Sequence, residues 1–171
     1  MGRNIIQYTT LFVILILVQV LICNHIMLFG VAVPILFFYF ILRLPMGMPV
    51  KGVLTLAFLI GVIMDISSDT PGVNALSCTI LAVCRRPVYH AFTGNDETLA
   101  IAIPSISTLG PTVYIKYLFT CVLLYCTICV SIEYFTFVDI QRTLSIIGGS
   151  TLLSFILMLG VDSLMGGRKD R

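Results

Sequence analysis

The sequence predicts an all-α, polytopic membrane protein, and three observations predict it. Apolar residues fill 58% of the 171 positions and charged residues only 11%, where a soluble domain carries about 25% charged residues. Apolar stretches near the length of a bilayer span recur from one end of the chain to the other. The basic residues gather at the ends of those stretches, nearly all on one side once the stretches are numbered. No polar segment is long enough to fold as a soluble domain, the longest running from Arg85 to Pro111. Residues 1–171 therefore read as one integral membrane domain.

A span needs about 20 apolar residues, and about 17 are tolerated. Six are predicted, at about 5–23, 26–42, 53–66, 72–88, 112–132 and 144–165. Asn24–His25 is a tight polar turn. Pro34 falls inside the second span and predicts a kink there, because neighbouring helices can satisfy the carbonyl it frees. Arg43 to Gly52 is a loop with two prolines. The third and fourth spans are too brief to cross upright without borrowing flanking residues, which leaves broken or partly re-entrant helices open for them. With both termini in the cytoplasm, the inner segments hold Arg3, Arg43, Lys51, Arg85, Arg86, Lys116, Arg168, Lys169 and Arg171, nine of the ten basic residues. Only Arg142 falls outside, as the positive-inside rule requires. Arg3 followed by Leu11–Ile22 is signal-peptide-like, but no A-x-A-like site follows, so this stretch reads as a retained first helix. The segment Val88–Pro111 reads as interfacial, as packed under the bundle, or as plain loop.

Several function classes are excluded. A net charge of +2 with basic residues scattered at span ends is no nucleic-acid footprint. Most of the six cysteines lie within apolar spans, where cysteine is a small hydrophobe, and none has a histidine at ligand spacing, so no metal site or disulfide framework is expected. His25 and His90 fall on opposite sides and read as interfacial. No G-x-S-x-G elbow occurs, and Gly166–Gly167 is a linker before the basic tail. Asp65 and Asp162 invite an intramembrane aspartyl-protease reading, since two carboxylates must meet to share a proton. Their places in spans 3 and 6 put them about 15–20 Å apart in depth at 1.5 Å per residue, so no enzyme is expected.

What remains is the corner from Gly61 to Leu76, GVIMDISSDTPGVNAL, where ionisable and turn-forming residues sit between two apolar spans. A polar group near lipid depth is costly and needs a partner or a purpose. Leu54, Phe58, Gly61 and Asp65 share one helical face by spacing, and Ala57 with Gly61 forms a small-xxx-small pair that lets a helix approach closely. Asp65 has two readings: it binds a partner or orders the hairpin, or it caps the next turn. Asp69-Thr70-Pro71-Gly72 is turn chemistry, and Asn74 is placed to cap span 4. Gln19 in span 1 calls for a hydrogen-bond partner. Tyr114, Tyr117, Cys121 and Tyr125 share a packing face of span 5. Ser145, Gly148, Gly149, Ser150 and Ser154 form a small-residue surface on span 6, for contact within the bundle or with another chain. Lys116 is placed to snorkel to the inner surface.

On these residues the chain resembles MreD, the rod shape-determining membrane protein family of bacterial elongation complexes. The resemblance rests on Gly61-x3-Asp65 followed by Pro71-Gly72-Val73-Asn74-Ala75-Leu76, which is similar to the family's glycine, aspartate and G-x-N-A signature. Asp69 departs from it, adding a charge where many relatives carry small residues, and the loop at Arg85–Pro111 is generous. The resemblance implies a six-helix bundle like the substrate-binding components of energy-coupling-factor vitamin transporters. It implies a non-enzymatic role in cell shape and peptidoglycan synthesis at the bacterial inner membrane, with no cofactor. The implied partners are MreC, a single-span periplasmic protein, the elongation glycosyltransferase–transpeptidase pair and the MreB cytoskeleton. Asp65, Gly72 and Asn74 carry over as motif positions, and Ala57, Gly61 and Ala75 join them as candidates for a partner interface. The rival reading is a vitamin-type small-molecule component of a transporter, which needs an outer cavity lined near Asp65, Asn74 and Gln19.

Overall fold

Runs rich in Leu, Ile, Val and Ala between Pro- and Gly-marked breaks fold as helices. In the computed structural model, which describes residues 2–21, 34–94, 103–133 and 140–166, every regular element among the described residues is helical. They are α1 (Gly2–Leu21), α2 (Tyr39–Leu42), α3 (Val50–Ser68), α4 (Val73–Thr93), α5 (Ile106–Leu109), α6 (Pro111–Glu133) and α7 (Ile140–Gly166). The turn at Asn24–His25, Cys23, residues 26–33 of the expected second span and the tail Gly167–Arg171 lie outside the described residues.

Three of these helices are long and apolar enough to cross a membrane: α3, α6 and the part of α7 from Gln141 to Ser163. Six segments were expected, and the first two of them, at about 5–23 and 26–42, run beyond the described residues. α4 runs unbroken for 21 residues, but Arg85, Arg86 and His90 dilute its apolar character. The third and fourth segments are regular helices, not broken ones, because each extends beyond its apolar stretch into flanking residues. Of the second segment, residues 34–42 are described. Pro34, Ile35 and Leu36 are not helical, and only the single turn of α2 follows before the loop at Arg43.

α3 packs along α4, α4 along α6 and α6 along α7, and α1 and α2 also touch α3. The core between them is aromatic. Phe37, Phe38, Tyr39 and Phe40 enter from the α2 region, and Tyr114, Tyr117 and Tyr125 from one face of α6, all buried. The expected α6 face of Tyr114, Tyr117, Cys121 and Tyr125 is therefore a packing face. Tyr125 stacks on Phe38 with ring centroids 4.2 Å apart, and Tyr117 meets Tyr89 of α4 edge-on at 5.6 Å. Such ring pairs contribute about 0.5–1.5 kcal/mol each beyond area burial.

The non-helical backbone at 34–36 needs partners, since hydrocarbon offers none. Gln19 of α1 supplies two: its Nε2 donates to the Pro34 carbonyl at 3.1 Å and its Oε1 accepts from Leu36 N–H at 2.7 Å. Ser154 of α7 supplies a third, its Oγ accepting from Ile35 N–H at 2.9 Å. The expected small-residue surface of α7 therefore splits. Ser150 and Ser154 face inward, while Ser145 and Gly148 face out.

Candidate functional site

The corner between α3 and α4 is set by three residue types that do different work. Ala57, Ile60, Gly61, Met64 and Asp65 form the buried stripe of α3, together with Val53. Phe58, expected on the same face, points outward at 52% exposure. Gly61 permits the close approach. A Cβ added there would lie 2.3 Å from the Ala75 Cα and 2.7 Å from the Asn74 carbonyl oxygen, both backbone atoms of α4. α3 ends at Asp69, whose φ of 57° is left-handed and whose N–H bonds the Asp65 carbonyl. Gly72, with φ 83°, starts α4 and supplies no side chain to cap it.

Asp65 fills that vacancy from the preceding helix. Its Oδ1 accepts from the Asn74 N–H at 2.8 Å and its Oδ2 from the Ala75 N–H at 3.0 Å, two of the amides that a helix start leaves without partners. A carboxylate there also meets the positive end of the helix dipole. The Thr70 hydroxyl donates to Oδ1 at 3.2 Å. Asp65 thus both caps α4 and orders the hairpin. Asn74, expected to be the cap, sits one residue inside α4. Its side chain instead donates to Thr70 Oγ1 at 3.0 Å and accepts from the Tyr125 hydroxyl at 2.8 Å. The network thus ties α3, the turn, α4 and α6 together. The partner-interface candidates Ala57, Gly61, Asp65, Asn74 and Ala75 are all buried in the chain's own packing, and Gly72 alone is exposed. A shallow groove of about 410 Å³ opens over the corner, lined by Phe58, Val62, Ile66, Asp69 and Thr70, among others.

A second polar cluster lies toward the other end of the bundle. Asp162 of α7 pairs with Arg43 at 2.9 Å and accepts from the Tyr39 hydroxyl at 2.6 Å. The Arg43 guanidinium also lies over the Tyr39 ring and donates to the Pro104 carbonyl at 3.3 Å. Tyr114 stands beside this cluster and Tyr125 beside the corner. Eleven residues of α6 separate the two tyrosines, a rise of about 16 Å. Asp65 and Asp162 therefore do not meet, as expected from their places in the chain.

A third cluster was not singled out from the sequence. Arg85 and Arg86 read there only as inner-side charges. Arg85 is buried at 1% exposure, and its guanidinium donates to the carbonyls of Ile41, Leu44 at 2.9 Å and Pro45 at 3.0 Å. Arg86 donates to the carbonyls of Met46 at 2.9 Å and Met48 at 2.7 Å. The two arginines thereby hold the loop that follows α2. A signal existed in the chain: two adjacent arginines inside a helix, opposite a loop whose prolines leave carbonyls without helical partners.

Five described cysteines are free, and among the described residues no group of three or more His, Cys, Asp or Glu side chains could hold a metal ion. His90 and Lys116 are exposed. No family model, curated protein or solved structure matches the chain.

Proposed function

We propose that the chain is a non-enzymatic, multi-pass scaffold of the bacterial inner membrane, an MreD-like member of the cell-elongation machinery that binds MreC. In this reading six segments cross the bilayer, both termini are cytoplasmic, and the bundle is like the substrate components of energy-coupling-factor transporters. Through MreC the scaffold serves the elongation glycosyltransferase–transpeptidase pair and MreB. One observation carries the proposal. The residues behind the resemblance, Gly61, Asp65 and Asn74, spend their contacts on fixing α3 against α4 and α6. A motif used in this way maintains a surface for partners.

The small-molecule alternative needs free polar atoms facing an outer cavity. The Asp65 carboxylate, the Asn74 amide and the Gln19 amide are instead engaged by protein groups, which favours the scaffold.

The test is co-purification with MreC after mild detergent extraction. Wild-type protein is expected to retain MreC, while Gly61→Leu and Asp65→Ala, which unsettle the corner, are expected to lose it. Absence of MreC from the wild-type complex, with both proteins present in the membrane, would overturn the proposal. A thermal shift with a panel of vitamins would favour the rival.

A further inference from the structure

Two polar clusters, about 16 Å apart along α6, meet on one short element. The single turn of α2 starts after Phe38 and ends at Arg43, and the amides of Ile41, Leu42 and Arg43 bond back to the carbonyls of Phe38 and Tyr39. At 3.6 residues per turn Tyr39 and Arg43 lie within about 40° of one another, and Phe38 points about 100° or more away from both. The face of Tyr39 and Arg43 belongs to Asp162 of α7. The Tyr39 hydroxyl donates to that carboxylate at 2.6 Å, and the Arg43 guanidinium pairs with it at 2.9 Å. The face of Phe38 belongs to the corner. Its ring stacks on Tyr125 at 4.2 Å, the Tyr125 hydroxyl donates to Asn74 at 2.8 Å, and Asp65 holds the amides of Asn74 and Ala75.

Side chains of other helices fasten the turn at both ends. Gln19 holds Pro34 and Leu36 ahead of it, and Arg85 holds the carbonyls of Ile41, Leu44 and Pro45 at its far end. Such tethers oppose sliding and leave rotation of the turn about its own axis. The backbone at 34–36 is not helical, so rotation breaks no helical ladder upstream. Phe38, Tyr39, Ile41 and Leu42 are each exposed by 2% or less, and a close-packed interior transmits strain instead of absorbing it. A rotation driven from one face therefore reaches the other.

We propose that α2 is a lever that couples the Arg43–Asp162 pair to the Asp65 corner, so that releasing the pair loosens the start of α4. The coupling runs in both directions, as a coupling free energy between two sites must. It stands whether or not the chain binds MreC.

Hydrogen exchange at single amides in mild detergent tests it. In Asp162→Asn the Asn74 and Ala75 amides are expected to exchange several-fold faster, while amides in the middle of α3 keep their wild-type rates. Tyr39→Phe, which removes only the hydroxyl bound to Asp162, is expected to act in the same direction more weakly, and it carries the test if Asp162→Asn does not fold. With Phe38→Leu already present, which removes the ring stacked on Tyr125, Asp162→Asn is expected to change the two amides no further. In reverse, Asp65→Asn is expected to speed exchange at Ile41, Leu42 and Arg43. Wild-type rates at Asn74 and Ala75 in both Asp162→Asn and Tyr39→Phe would overturn the proposal. So would an equal rise at every protected amide, the mark of general destabilisation, or an undiminished response in the Phe38→Leu background.

Discussion

The Cβ that Gly61 lacks would lie 2.3 Å from the Cα of Ala75. No side-chain rotation can relieve that contact, because the obstacle is the backbone of α4. The two helices are in register only because position 61 is glycine. Gly61→Ala is expected to force α3 and α4 apart and to cost about 1–3 kcal/mol. For a chain of this size about 1 kcal/mol lowers the midpoint by roughly 2–4 °C, which thermal unfolding in mild detergent will read. Gly72→Ala is the contrast. Space there is open, but φ is 83°, so the cost is the left-handed strain alone, about 1–2 kcal/mol, with the α3–α4 spacing unchanged.

Asp65→Ala removes the acceptor for the Asn74 and Ala75 amides at the start of α4. A lost helix cap costs about 0.5–2 kcal/mol, and buried donors left alone raise the figure toward about 3 kcal/mol. Asp65→Asn keeps one acceptor oxygen and should fall between wild type and alanine. Equal midpoints for all three proteins would remove Asp65 from the corner's support.

Gln19→Leu leaves the Pro34 carbonyl and the Leu36 amide without the side chain that bonds both. Each unsatisfied buried group costs about 1–3 kcal/mol. Ser154→Ala frees one further amide, that of Ile35, and should cost less than Gln19→Leu. Hydrogen exchange is expected to rise at residue 36 in Gln19→Leu and at residue 35 in Ser154→Ala, because no neighbouring helical bond takes over.

Arg85→Lys is not a conservative change here. A guanidinium fork reaches the Ile41, Leu44 and Pro45 carbonyls together, whereas an ammonium is a point charge on a flexible stem. A loss of about 2–3 kcal/mol is expected, with protease cleavage in the Arg43–Pro49 loop as the local readout. Retained protection of that loop in Arg85→Lys would show that charge alone suffices.

Arg43 and Asp162 are a part-buried pair with side chains 14% and 4% exposed. The cost of the double variant Arg43→Gln with Asp162→Asn should fall below the sum of the two single costs, because either change alone strands its partner. A double-mutant cycle on thermal stability is expected to give a coupling of about 1 kcal/mol or more. Additive costs would mean the two residues act separately.

Periodicity and composition were enough for the helical, apolar character of the chain, because burying backbone in a nonpolar setting leaves helices as the ready solution. They also placed the α3–α4 corner between Gly61 and Leu76, the buried face of α6, and the need of Gln19 for a partner, since each is a local property of residue type and spacing. Tertiary structure decided the rest. It kept the third and fourth segments regular and left 34–36 non-helical, where Gln19 and Ser154, remote in sequence, satisfy the backbone. It gave the cap of α4 to Asp65 instead of Asn74, turned Phe58 outward, and buried Arg85 among carbonyls 40 to 44 residues away. Spacing along a chain states which groups need partners. Which distant group supplies each one is settled only when helices pack and the polar atoms left over find one another.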